Sequence, residues 1–142
     1  MRVKLLLVIS ALTLAVVHAW AVPVKVVAKY ASSGLDKMPT QLSLKSDNTY
    51  SLAFMGVTYE GTYIRRNKKT LSFLVKKING QDAKKMVGKK IVVEPVKGRK
   101  ATTTISNDTI APFTLEEVST SVLQTKPKDP TEPVWMHLER VS

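Results

Sequence analysis

The sequence predicts an all-β protein, and three observations lead there: apolar and polar residues alternate with period two, turn residues recur every eight to twelve positions, and helical periodicity is scarce. The expected architecture is an antiparallel meander of about eight or nine strands. It forms a small barrel or a strongly curved sheet, the usual ways for a β protein to hide its edges.

The first twenty-one residues stand apart from this pattern. Arg2 and Lys4 give a positive start, Leu5 to Val17 are an unbroken apolar run, and Ala19-Trp20-Ala21 puts small residues at the −3 and −1 positions of a cleavage site. Residues 1–21 therefore read as a signal peptide and 22–142 as a single all-β domain beginning at Val22. A spanning helix needs about 20 apolar residues, which the run does not supply, so no transmembrane segment is expected after cleavage. The expected location is secreted or periplasmic. With no cysteine in the chain, no disulfide braces the fold, and lipobox anchoring and thiolate chemistry are excluded.

Along 22–142, Val24, Val26, Ala28 and Tyr30 alternate with lysines, then Ser32-Ser33-Gly34 and Met38-Pro39 mark a loop. Gln41 to Lys45 and Thr49 to Met55 form a hairpin about Ser46-Asp47-Asn48, because Asp and Asn bond their own backbone and tolerate left-handed geometry. Tyr50, Leu52 and Phe54 share its dry face. Gly56 reverses the chain into Val57 to Arg65, where Gly61 marks a bulge or bend. Asn67-Lys68-Lys69 turns into Thr70 to Val75, with Leu71, Phe73 and Val75 in step. Asn79-Gly80 suits a tight turn, and Gln81 to Val87 suits a turn of helix.

Ile91 to Val96, Ala101 to Ile105 and Thr109 to Leu115 follow as strands, with Pro95 and Pro112 expected at an edge, a bulge or a strand end. After Val118 and through Pro133 the Ser, Thr, Lys and Pro content predicts an extended surface connection, leading to a last strand, Val134 to Val141. In that strand Val134, Met136 and Leu138 face the core.

The block Leu42-Ser43-Leu44-Lys45-Ser46-Asp47-Asn48-Thr49-Tyr50, followed by Gly61-Thr62-Tyr63 and Thr70-Leu71-Ser72-Phe73, resembles the hairpin phrasing of small exported lipocalin-like barrels. No Gly-x-Trp signature stands near Val22, and the one tryptophan after the signal, Trp135, lies in the last strand. The resemblance implies a barrel with a ligand cavity and assigns no functional residue.

Charge is unevenly distributed. Between positions 65 and 100 stand Arg65, Arg66, Lys68, Lys69, Lys76, Lys77, Lys84, Lys85, Lys89, Lys90, Lys97, Arg99 and Lys100 against only Asp82 and Glu94, a net of +11. The rest of 22–142 holds seven basic and nine acidic residues, a net of −2. These thirteen residues are the candidate anion-contact surface, expected as a positive rim at one end of the domain. Lysines at strand ends also serve solubility and discourage edge pairing. Ten of the thirteen are lysine, a hydrated point charge suited to diffuse attraction, whereas directed phosphate recognition favours arginine forks. Anionic lipid head groups or acidic polysaccharide are the expected partners. Nucleic acid is the least favoured, because no aromatic ladder interleaves the basic pairs.

Catalytic parts are sparse, and no cofactor, metal or catalytic residue is assigned. His137 is the only histidine after the signal, Glu116 and Glu117 are neighbours that point apart in a strand, and Asp47, Asp82 and Asp108 read as turn residues. Asn107-Asp108-Thr109 matches a glycosylation acceptor within a turn. Tyr50, Tyr59 and Tyr63 share period two and are core residues or cavity lining. The expected function is a non-enzymatic exported binding protein whose basic segment meets an anionic envelope or matrix component. The alternative is a carrier of a small apolar ligand inside the barrel, which an apolar cavity of several hundred cubic ångströms would favour and a solidly packed interior would oppose.

Overall fold

The computed structural model describes residues 22–32, 40–126, 131 and 136–142. Eleven strands and one helical turn are found among them: β1 Val26–Ser32, β2 Gln41–Lys45, β3 Thr49–Phe54, β4 Val57–Arg65, β5 Thr70–Ile78, β6 Gln81–Asp82, α1 Ala83–Met86, β7 Lys90–Val96, β8 Arg99–Thr104, β9 Phe113–Ser119, β10 Val122–Gln124 and β11 His137–Arg140. The fold is all-β. Eight of the strands close an antiparallel barrel: β1 to β5 run as a meander, β9 pairs with β5, β10 and β11 continue, and β11 returns to β1. The expected signal segment, the Gly34 and Met38-Pro39 loop, Val134 and Trp135 lie outside the described residues.

The barrel fills because the register puts one apolar row behind another. Tyr30 stands opposite Leu42, Leu42 opposite Leu52, Leu52 opposite Tyr59 and Tyr59 opposite Ile78, and all five are buried. Leu71 faces Leu115 and Leu123 faces Leu138 in the same interior. Polar neighbours on the same strands, such as Lys29, Thr58 and Glu60, point outward, so the pleat decides the faces. The turns follow the expected chemistry. Asn48 and Asn79 adopt positive φ, and the Asp47 carboxylate accepts the Thr49 N–H at 3.1 Å.

Gly61 makes closure feasible. At the β4–β5 seam Gly61 pairs with Val75 and Glu60 with Lys77, so Lys76 is an extra residue on β5 and both Lys76 and Lys77 turn outward. A Cβ on Gly61 would overlap the backbone carbonyl of Leu74. That same carbonyl accepts the Tyr50 hydroxyl at 3.0 Å from inside the barrel.

Several sequence expectations are corrected. β7 and β8 form a separate two-stranded hairpin rather than barrel strands: among their described side chains only Ile91, Val93 and Thr103 are half-buried, while Val92, Ala101, Thr102 and Thr104 are exposed. Such a ribbon lacks the apolar face that a barrel stave needs. Thr109 to Ile110 belong to a turn, and β9 begins only at Phe113. Within the stretch expected to be a surface connection, Val122–Gln124 is a barrel strand whose Leu123 is fully buried. The last strand is shorter than Val134 to Val141, running His137–Arg140, with Met136 buried just before it. β5 runs past Val75 to Ile78. Pro112 stands just before a strand and Pro95 at the β7 register shift, as proline requires.

Candidate functional site

Strand direction sorts the barrel into two unlike ends. At one end are the turns 46–48, 66–69 and 120–121; at the other are the Met55-Gly56 turn, the segment 79–112 and Met136. Four aromatic rings separate them. Phe73 and Phe113, paired across β5 and β9, stack at 4.8 Å, Tyr50 meets both edge-on, and Tyr63 stacks on Phe73 at 5.9 Å. Below this floor Leu44, Tyr30, Leu71 and Leu115 are all buried.

Above it the interior opens. A cavity of about 450 Å³ is lined by Leu52, Phe54, Val57, Tyr59, Val75, Phe113 and Met136 from the barrel, and by Met55, Thr103, Ser106, Asp108, Thr109 and Ala111 around its mouth. The barrel side chains that line it are apolar apart from the Tyr59 hydroxyl, and Thr103, Ser106, Asp108 and Thr109 of the overhanging segment add polar groups. Small-molecule sites occupy about 300 to 1,000 Å³ with a few polar groups among apolar walls, so the cavity has both the size and the lining of one.

The overhang is held at its base by Ile105, which is fully buried and exchanges backbone bonds with its neighbours: Ile105 N–H donates to Lys89 O at 2.9 Å, and Gly88 N–H donates to Ile105 O at 2.7 Å. Ser106 and Thr109 close the following turn, with Ser106 N–H donating to Thr109 Oγ1 at 3.0 Å. Asn107 is exposed at its tip.

Met55 is the residue that sequence reasoning missed. It adopts φ +52° in a two-residue turn with Gly56 at +78°, between the paired residues Phe54 and Val57. That turn favours Asn-Gly, and a left-handed conformation costs a side chain such as methionine about 1–2 kcal/mol. A methionine kept in that conformation while lining the cavity marks the mouth as a place where side-chain identity overrides local backbone preference.

The tyrosines divide between roles. Tyr59 lines the cavity, Tyr50 belongs to the floor, and Tyr63 donates its hydroxyl to Lys45 O at 3.3 Å near the packed end. Burial pushes the phenols of Tyr30, Tyr50, Tyr59 and Tyr63 above their ordinary value, most strongly for Tyr50. His137 lies on the outer face of β11, where Nδ1 meets Gln124 Oε1 at 3.1 Å and Nε2 lies 3.7 Å from Glu139.

The thirteen basic residues do not share one rim. Arg65, Arg66, Lys68 and Lys69 stand at the packed end, where Arg65 pairs with Glu117 at 3.0 Å and Arg66 Nε–H donates to Ser72 Oγ at 2.8 Å. The other nine belong to the excursion that leaves the opposite end: Lys76 and Lys77 on the end of β5, Lys84 and Lys85 on α1, Lys89 and Lys90 at the start of β7, and Lys97, Arg99 and Lys100 around the tip of the β7–β8 hairpin. One contiguous sequence run is split because the β4–β5 turn and the β6–β8 excursion leave opposite ends of the barrel.

No helix among the described residues is long and apolar enough to cross a membrane. No protein family, curated protein or solved structure matches the chain.

Proposed function

We propose that the protein is an exported, lipocalin-like carrier that holds a small, largely apolar molecule in the cavity beneath the 103–111 overhang. The observation that supports this reading best is the cavity itself: about 450 Å³ of largely apolar-walled space at one end of a barrel whose other end is occupied by buried side chains. An eight-stranded barrel is just wide enough either to fill with side chains or to enclose one small ligand, and this chain does each in a different half. Binding draws on apolar burial, with the few polar groups of the overhang setting orientation.

Calorimetric titration with a medium-chain fatty alcohol tests the reading. The mature protein should bind it, and Ala111→Phe, which projects a ring into the cavity from an exposed position, should weaken binding at least tenfold without loss of fold. Absence of binding, or equal binding by the variant, overturns the proposal.

A second reading is favoured by the nine basic residues of the excursion from β5 to β8: docking of that excursion on an anionic envelope surface. Reversal of Lys84, Lys85, Lys89 and Lys90 to Glu should abolish binding to anionic vesicles at low salt, while reversal of Lys25, Lys29, Lys68 and Lys69 makes the same charge change elsewhere and should weaken it far less. The binding should fade towards physiological salt, where exposed charges are screened over about 8 Å. Equal effects of the two sets refute localised docking.

A further inference from the structure

The barrel wall is incomplete beside the cavity. β9 pairs with β5 from Thr70 to Phe73, and β6 pairs with it again at Lys77 and Ile78, so Leu74, Val75 and Lys76 have no strand on that edge. Continuing the register would set Leu74 against Pro112, which has no N–H to give, and Val75 against Ala111, whose N–H instead donates to Asp108 O at 3.3 Å. A second cavity of about 550 Å³ occupies this gap. Val75 lines both cavities, so the gap and the apolar interior space are neighbours on either side of that residue.

The gap has two chemically different sides. Leu74, Val75, Ile110 and Pro112 make one apolar, whereas Lys76 and Lys84 bring ammonium groups to the other. Asp82 also lies there, and its carboxylate accepts the Lys84 N–H at 2.9 Å. Lys77 stands opposite Glu60 on β4 and Asp82 on β6 in the ladder. Neither Lys76 nor Lys84 takes part in the ion pairs found among the described residues, Arg65 with Glu117 and His137 with Glu139.

Resting on the carrier reading above, we propose that the ligand is an amphiphile with one anionic group on an apolar chain, and that the gap between β5 and β9 is the seat of its head group. The chain lies in the apolar cavity past Val75, and the carboxylate or phosphate meets Lys76 and Lys84 at the opening. Lysine suits this task because a small anion needs compact positive charge there rather than the planar fork of arginine.

The test compares a medium-chain fatty alcohol with the carboxylate of the same chain length, both as monomers, on the mature protein. The carboxylate should bind about tenfold more tightly, Lys76→Gln/Lys84→Gln should erase that preference while leaving alcohol binding unchanged, and Lys68→Gln/Lys69→Gln at the packed end should preserve it. If neither compound binds, the carrier reading itself falls. If both bind equally to the unmodified protein, the cavity stands and the anionic seat is wrong. A preference that survives in Lys76→Gln/Lys84→Gln, or disappears equally in Lys68→Gln/Lys69→Gln, places the discrimination elsewhere and overturns the proposed seat.

Discussion

Gly61→Ala is the most demanding test of the closed barrel. The added methyl group would meet the Leu74 carbonyl, a backbone atom fixed in the β4–β5 ladder, so the overlap is relieved only by opening the seam. Overpacking of this kind costs about 1–3 kcal/mol. Movement of Leu74 also strands the Tyr50 hydroxyl, which is buried and donates to that carbonyl at 3.0 Å, adding about 1–3 kcal/mol for an unsatisfied polar group. Alanine offsets about 0.5–1 kcal/mol of this by restricting the unfolded chain. The expected net loss is about 3 kcal/mol, measured by urea unfolding followed by circular dichroism. Gly80→Ala is the comparison: its Cβ would meet nothing within 4 Å, and its φ of +79° should cost only about 1 kcal/mol. In a Tyr50→Phe background the Gly61→Ala penalty should shrink, because the stranded hydroxyl is gone. A Gly61→Ala loss no larger than that of Gly80→Ala would refute the close seam, and a penalty unchanged by Tyr50→Phe would refute the shared carbonyl.

Three further outcomes are expected. Phe73→Ala removes a fully buried ring from the aromatic floor and should cost about 3–5 kcal/mol in chemical denaturation, against about 1 kcal/mol for Ser72→Ala, which loses only the bond from Arg66; equal losses would mean the strand faces are reversed. Because burial raises the folded-state pKa of Tyr50 while the unfolded phenol ionises near pH 10, stability should be level below that pH and fall as pH rises above it, and Tyr50→Phe should flatten the fall; a slope unchanged by the substitution would contradict the buried phenol. Met55→Asn should relieve about 1 kcal/mol of backbone strain, part of it offset by lost apolar contact, and should weaken binding of the fatty alcohol; unchanged affinity would remove Met55 from the mouth.

The barrel's meander was legible because its signals are local. Tyr50, Leu52 and Phe54, or Leu71, Phe73 and Val75, announce a half-buried strand by alternation alone, and Asn48, Gly56 and Asn79-Gly80 announce the turns between strands. Gly61 and Pro112 were legible for the same reason, since a missing side chain or a missing N–H restricts where a residue can stand. β10 was not, because three residues with one buried leucine make too short a run to show a period. β7 and β8 carry strand signals as clear as those of the barrel, and only tertiary pairing tells a hairpin on the end from a stave in the wall. The cavity was illegible for a deeper reason: its lining comes from β3, β4, β5, β9, the 103–111 overhang and Met136, and no window of sequence contains them together.

The split of the basic run bears on how the two functional readings relate. Read as a line of sequence, positions 65–100 suggest one charged surface, but the fold assigns four of its basic residues to the packed end and nine to the excursion that leaves the other end, with Lys76 and Lys84 lining the wall gap. Solubility alone does not fix which end carries the lysines; protection of the unpaired edges of β7 and β8 accounts for those on the hairpin, but not for Lys76 and Lys84 beside the wall gap. Solubility depends on net charge and on the absence of large apolar patches, not on which end of a barrel carries the charge. A carrier of an anionic amphiphile has a reason for that placement, because a positive field around the opening raises the local concentration of the ligand and speeds its capture. Charge and cavity then act on one molecule, and the salt dependence of carboxylate capture, set beside that of the alcohol, separates this arrangement from a lysine distribution that serves the surface alone: the on-rate of the carboxylate should fall with added salt while that of the alcohol stays level, and parallel behaviour of the two would leave the cluster without a role in binding.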